Sequence, residues 1–413
     1  MQENSFVELD NFTDLINKIF NTNDSALYTD VYIQPEQPVR LRITSNQWAD
    51  FEISSDGAAP RKLVYTAGDL NKLITNLFSK REQTPQSGGK WNDLLKKNNG
   101  CLHPMITLDA PGKTDGEVIP FRVRCTLQQQ DMGGIGLMLR CLRPVPETLS
   151  ELGLPETLSS ICNARSGLVL VTGRTGAGKS TSIAAMLNQI NKQRSSNIVI
   201  IEEPIEFIYK ARMSRFTYRE VGNDVDSYAN AVEQALRYVP DVLSIGEIRD
   251  AETMKAAVRA GESGHLVFGT IHAANAMGAI RKALGFLDTQ GEKLAFATNV
   301  VGVLAQALLP TTNSHAKSLA FEIMDFTAKQ NGVTLLAETV EKMLSPQSDG
   351  TELQNFEKDF LSQQRRIGVG SSPYVQSLKY LLKNKKIELA NALSLIHDAS
   401  SIKELRDISA HAQ

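Results

Sequence analysis

Four short runs in this chain are apolar almost without a break: GLVLVTG over 167–173, NIVIIEE over 197–203, DVLSIG over 241–246 and HLVFGTIH over 265–272. A strand with one wet face alternates apolar and polar positions. An unbroken run predicts a strand covered on both faces, as in a parallel sheet. Stretches of helical period separate the four runs, so residues 157–326 are predicted to form an α/β domain. Residues 1–143 read differently. FTDLINKIF and DLNKLITNLF have helical spacing, whereas DVYIQP, VRLRI, IPFRVRCTL and IGLMLRCL alternate, which predicts a separate α+β domain. Two polar segments inside it, 83–100 and 110–116, read as surface loops.

Between the two domains, RPVPETLSELGLPE carries three prolines, and residues 144–156 read as a linker. Residues 327–372 are rich in Gly, Ser and Gln and read as a long connection or mobile helices. The chain then returns to helical period in VQSLKYLLKNKKIELANALSLI, so 327–413 is predicted as a polar connection with a C-terminal helical segment. The run LAFATNVVGVLAQALL over 294–309 is too short to span a bilayer comfortably and contains Asn299 and Gln306. It reads as a buried core helix. No internal repeat is evident.

Composition narrows the chemistry. Of 413 residues, 42% are hydrophobic and 22% charged, and the net charge is −2. That balance is ordinary for a globular protein and supplies no basic field for gripping nucleic acid. No basic residue precedes Lys18 and no apolar leader core follows, so the expectation is a cytoplasmic protein without a transmembrane segment. Cys101, Cys125, Cys141 and Cys162 form no C-x-x-C pair, so their spacing suggests no zinc site and fits a reducing compartment.

The first apolar run ends in a glycine and a phosphate-binding pattern, G-x-x-x-x-G-K-S: Gly173, Arg174, Thr175, Gly176, Ala177, Gly178, Lys179, Ser180 and then Thr181. Glycines let backbone N–H groups turn inward around a phosphate chain, and the helix that follows directs its positive end there. Lys179 supplies a point charge to the outer phosphates, and the Ser180 hydroxyl is a magnesium ligand. The other runs also end in polar groups. The second ends in Glu202, Glu203 and Glu206, the third in Glu247, Arg249 and Asp250, and the fourth in Thr270 and His272. Sites in open α/β sheets lie at the carboxyl ends of strands. A triphosphate there needs a metal-holding carboxylate, a group to orient water and donors for the departing charge. Each carboxylate taken alone is also a plausible helix cap. His265 opens its strand, where a structural role is nearly as good a reading.

Taken together, GRTGAGKST, IIEEPIEFIY and VPDVLSIGEIRDAETMKAAVRAGESGHLVFGTIHAANA resemble, in order and spacing, the hexameric ATPases of type II and type IV secretion systems and type IV pili. Weaker likeness extends to TDVYIQP, FRVRCTL and FEIM, so the resemblance spans roughly residues 28–325. It implies a RecA-like P-loop core with a PAS-like N-terminal domain. It also implies a magnesium-dependent ATP hydrolase, assembled as a homo-hexamer and working with inner-membrane components of a secretion or pilus machine. By the same resemblance Glu206 polarises the attacking water, and Glu247 holds magnesium and helps position the nucleophile. Thr270 and His272 sense the γ-phosphate or join neighbouring domains. Arg122, Arg124 and Arg140 match arginines that approach nucleotide or clamp subunits.

Departures are also visible. Glu203 stands where an aspartate is usual, and Ser244 interrupts an apolar strand. There is no paired-cysteine zinc module, and no recognisable Ala-Ile-Arg-Asn-Leu motif near the C-terminus. The last two absences favour the conjugation and type IVB secretion branch over the retraction motors. Two other readings remain: a RecA-like DNA translocase or helicase, which would need a basic groove or stacking aromatics, and a nucleotide-binding assembly factor without turnover.

Overall fold

Alternating strands build one part of the molecule and continuous apolar strands the other. The computed structural model describes residues 30–44, 47–53, 59–79, 91–97, 99–102, 105–111, 118–130, 134–141, 145–312, 317–327, 334–362 and 371–411. The chain divides into two compact units, Met1–Pro144 and Val145–Gln413.

The first unit is an antiparallel sheet of β1 (Asp30–Ile33), β2 (Arg40–Thr44), β3 (Gln47–Asp50), β6 (Cys101–Leu102), β7 (Met105–Pro111), β8 (Val118–Gln129) and β9 (Ile135–Cys141). Its order is β3-β2-β1-β9-β8-β6, with β7 also on β8; β4 (Glu52–Ile53) and β5 (Arg61–Lys62) pair separately. Alternation places Val31, Ile33, Leu41, Val123, Cys125, Leu127, Leu137 and Leu139 in one core. Helix Ala67–Ser79 covers them with Leu70, Leu73 and Ile74. The segment 83–100, expected as a loop, contains a helix, Trp91–Lys97. Trp91 and Leu95 are buried, and the Trp91 indole N–H donates to Thr75 Oγ1 at 3.1 Å. Two apolar anchors in a polar stretch are enough to dock one helical face. Residues 83–90, 98 and 112–116 of the expected loops lie outside the described residues.

The second unit is built on a sheet of β10 (Gly167–Thr172), β11 (Asn197–Glu202), β12 (Arg215–Glu220), β13 (Val242–Ile245), β14 (Leu266–Ile271), β15 (Val300–Pro310) and β16 (Lys317–Asp325). Its order is β12-β11-β13-β14-β10-β15-β16, parallel except for the last pair. All four strands predicted from apolar runs are present. Successive residues enter opposite cores: Leu168 and Leu170 join one, Val169 and Val171 the other. That is why the runs carry no polar alternation. Helices Leu158–Asn163 and Lys179–Gln193 cover the second face. The first is covered by Tyr228–Leu236, Ala251–Glu262, Ala276–Gly285 and Gln290–Asn299.

Three sequence readings need correction here. The run 294–309 is not a core helix: the helix Gln290–Asn299 ends at Asn299, and the rest is strand β15. Val300, Val301 and Val303 prefer extended backbone, and Gly302 lies against Ile161, where a Cβ would overlap that side chain. The segment 145–156, expected as linker, is docked on the second unit. Leu149 and Leu154 are buried in its core, Asn188 donates to Pro146 O at 2.9 Å, and Glu147 pairs with Lys192 at 2.6 Å. Helices Leu335–Leu344 and Glu352–Ser362, expected as connection or mobile elements, are packed, with Leu336, Val340, Phe356 and Phe360 buried. Their apolar positions recur at helical spacing inside a polar composition, and the spacing decides the outcome.

Helix Tyr374–Lys383 completes the outer edge. Ser372 exchanges two backbone hydrogen bonds with Ile323 of β16, and Glu322 is buried between two helix starts. Its Oε1 accepts from Ala276 N–H at 2.7 Å and its Oε2 from Tyr374 N–H at 3.5 Å. Among the described residues, no helix is long and apolar enough to cross a membrane.

Candidate nucleotide site

The loop between β10 and helix Lys179–Gln193 has the backbone that its glycines allow. Gly173, Gly176 and Gly178 have φ of +149°, +76° and +85°. A Cβ at Gly173 would overlap the carbonyl oxygen of Gln306, so no side chain fits there. Around Gly176 the space is open. Ala177 N–H donates to Arg174 O at 3.0 Å, closing the loop on itself. The amides of Gly176, Gly178, Lys179 and Ser180 have no acceptor among the described residues. Together with the helix start they form a cradle of donors suited to an anion. Arg174 and Thr175 are exposed; Ser180 and Thr181 are half-buried in the first helical turn.

Lys179 Nζ donates to the carbonyls of Gly173 (3.0 Å) and Arg174 (3.4 Å). Burial lowers its pKa, while the charges of Glu247 and Glu206 act in the opposite sense. Both carboxylates therefore lie close enough to Lys179 to be felt by it.

Glu247 follows β13 and is the hub of the strand ends. Its Oε2 pairs with Arg249 Nη2 at 2.7 Å and its Oε1 with His272 Nε2 at 2.9 Å. Burial pushes its carboxyl up, but the Arg249 hydrogen bond and charge, then His272 and Lys179, outweigh that and hold it below the ordinary value. Glu247 is thus an ionised carboxylate at neutral pH. Arg249 also approaches Glu203, at 3.9 Å. Glu206 is held by its backbone, whose N–H donates to Glu202 Oε2 at 2.7 Å.

Other expected site residues have partners of their own. Thr270 Oγ1 donates to Gly246 O at 2.5 Å, tying two strand ends together. His265 Nδ1 is hydrogen-bonded to Ala260 O at 3.0 Å, at the end of helix Ala251–Glu262, which is a structural place. Asp250 caps the same helix, accepting from Thr253 N–H at 2.8 Å. Arg140, in the first unit, makes a bidentate pair with the buried Asp30, at 2.5 and 3.1 Å. Arg124 lies opposite Arg140 on β8, and Arg122 opposite Thr107 of β7.

Glu202, one of the carboxylates read at the strand ends, supports Glu206 through that residue's backbone N–H. Sequence reasoning missed two further groups at this site. Tyr228 lies against Gly246, where a Cβ would come within 3.2 Å of its hydroxyl, and burial followed by the charge of Glu203 raises its pKa. Gln306 Nε2 donates to Ala177 O at 2.6 Å. The signal for Gln306 was present: a lone amide inside an apolar strand is a buried polar group that must find a partner.

The model of the family described as type II/IV secretion system protein matches residues 121–351, more than half of the chain. The chain belongs to this family. Among its members, the type IV pilus ATPase PilU of Pseudomonas aeruginosa is 40% identical over 193 residues, which are 46% of this chain and 50% of PilU. The type IV pilus retractation ATPase PilT of the same organism is 35% identical over 237 residues, 56% of this chain and 66% of PilT. The chain thus spans between half and two thirds of the length of these relatives. A crystal structure of the pilus retraction motor PilT with bound ADP superposes with a TM-score of 0.72 at 27% identity, covering 95% of this chain and 98% of that one. The Legionella pneumophila ATPase DotB shares the fold, with a TM-score of 0.70 at 20% identity over 93% of this chain and 95% of its own. The expected RecA-like core with an N-terminal α+β domain is therefore borne out.

Proposed function

We propose that this chain is a magnesium-dependent ATP hydrolase that works as a ring-shaped motor for a type IV pilus or type IV secretion apparatus. The observation that carries the reading is the meeting of an anion cradle, Gly173–Thr181, with the ionised carboxylate of Glu247 beside Lys179. A related structure with bound ADP supports the nucleotide class.

The substrate's phosphates rest on the amides of 176, 178, 179 and 180, with Lys179 leaving its two carbonyl partners to reach the outer groups. The residues fit magnesium: Ser180 offers a hydroxyl in the first helical turn, and Glu247 offers an ionised oxygen through water. The bound ion would neutralise charge on the β and γ oxygens. Glu206 orients the attacking water. His272 and Arg249, both on Glu247, sense the departing charge through it. The carbonyls and amides of the cradle keep their places, so the change on hydrolysis is concentrated on Lys179 and the Glu247 hub.

Likeness favours one apparatus over the other. Identity to the pilus retraction motor (27%) exceeds that to DotB (20%), and PilU reaches 40% over the aligned region. This moves the reading from the conjugation branch toward a pilus motor, working on inner-membrane partners from the cytoplasmic side.

Phosphate release by the purified chain tests the proposal. Turnover that requires magnesium is expected, falling by about 100-fold or more in Lys179→Ala and Glu247→Gln. Glu247→Gln should still bind ATP, whereas Lys179→Ala should bind it weakly. Wild-type protein without turnover, or both variants turning over normally, would refute the assignment.

A further inference from the structure

Strand β15 carries one amide side chain within the stretch VVGVLAQALL. Gln306 is 1% exposed; its Nε2 donates to Ala177 O at 2.6 Å, and its Oε1 has no hydrogen-bond partner among the described residues. We propose that Gln306 is a positioning residue for phosphate binding, holding the Ala177–Gly178 peptide so that the Gly178 N–H faces the triphosphate. This rests on the nucleotide reading above.

A trans peptide unit is planar, so its C=O and N–H point in opposite directions. With the Ala177 carbonyl tied down to β15, the Gly178 N–H is turned away from the strand. It has no acceptor among the described residues, and so is available to an anion. That orientation is not fixed by the loop itself. Ala177 lies between Gly176 at φ +76° and Gly178 at φ +85°, and glycines reorient at little cost. The Ala177 N–H is secured by Arg174 O, which leaves the following peptide to be fixed from outside. Gln306 is placed to do so, since its own backbone carbonyl abuts Gly173 and its Nε2 lies 3.3 Å from where a Cβ on Gly178 would stand.

The unpaired Oε1 adds a second state. If the peptide turned over, the Gly178 N–H would point toward β15, and half a turn of the carboxamide would present Oε1 to it. A carboxamide offers both donor and acceptor and so matches either orientation; a carboxylate can only accept and matches only the flipped one. Gln306 thereby gives the loop a binding orientation without making the other inaccessible.

The test uses the full chain with Gln306→Leu and Gln306→Glu. Fluorescent methylanthraniloyl-ADP is titrated, KM and kcat are measured for ATP, and the nucleotide-free protein is melted. Leu removes the tie and is expected to weaken ADP binding roughly tenfold; Glu favours the flipped peptide and is expected to weaken it roughly 100-fold. KM should rise in the same order with kcat within about twofold, because an amide on the inner phosphates contributes equally to ground and transition states. A role in folding alone would lower the melting temperature and leave these constants unchanged. If the Glu variant does not fold, the Leu variant decides. Normal ADP affinity in folded Gln306→Leu overturns the inference. A wild-type chain that binds no ADP would instead overturn the nucleotide reading, and this with it.

Discussion

At the scale of single residues, Gly173 and Gly176 of the loop are not equivalent, and the difference is measurable. Gly173→Ala places a methyl against the Gln306 carbonyl at a φ of +149°, whereas Gly176→Ala meets only the conformational cost of φ +76° in open space. Thermal denaturation should show a loss of about 1–3 kcal/mol for overpacking at 173 and about 1–2 kcal/mol for left-handed backbone at 176. ADP binding should be lost mainly in the first, and equal behaviour of the two would contradict the described floor of the loop. The loop itself was legible in the sequence, because its glycine and lysine spacing is local. So was the set of carboxylates at strand ends, since each follows its apolar run directly. Their division of labour was not legible. Asp250 and Glu247 stand three residues apart, yet one caps a helix while the other gathers Arg249 and His272. Only the turn between them decides which carboxylate faces Lys179.

At the scale of elements, continuous apolar runs identified four strands because burial on both faces removes any reason for polar alternation. The same rule failed for β15. An apolar run of that length suits a buried helix or a buried strand equally, and the pairing of β15 with β10 and β16 decides between them. No local pattern carries that information. The C-terminal helices were legible as helices but not as part of this sheet's edge, where the start of helix Tyr374–Lys383 meets the buried Glu322 on β16. Burial pushes the Glu322 carboxyl up to about 7, against the two backbone N–H donors that favour its ionised form. A carboxyl whose folded value lies above the unfolded 4.5 contributes stability that is complete below pH 4.5 and lost as pH rises through about 7. The loss amounts to roughly 3 kcal/mol over that window. Glu322→Gln, which cannot ionise, should flatten this slope in urea denaturation at pH 5 and pH 7.5. An unchanged slope would mean that Glu322 does not titrate in that range.

At the scale of the whole molecule, the motor proposed here is a closed ring of identical subunits. A heterologous contact repeated by one rotation closes into such a ring without leaving an unsatisfied surface. Light scattering on the purified chain with magnesium and a non-hydrolysable ATP analogue is expected to give six times the chain mass. A monomer at every concentration would remove the motor reading while leaving the nucleotide site intact. With or without a ring, the proposed activity requires a triphosphate to rest on 173–181 with its metal between Ser180 and Glu247. A crystal structure with magnesium and that analogue tests this most directly. The expected result is phosphate oxygens on the amides of Gly178, Lys179 and Ser180, and a metal reached from Glu247 through water. Phosphates bound elsewhere, or a metal that neither residue approaches, would contradict the account.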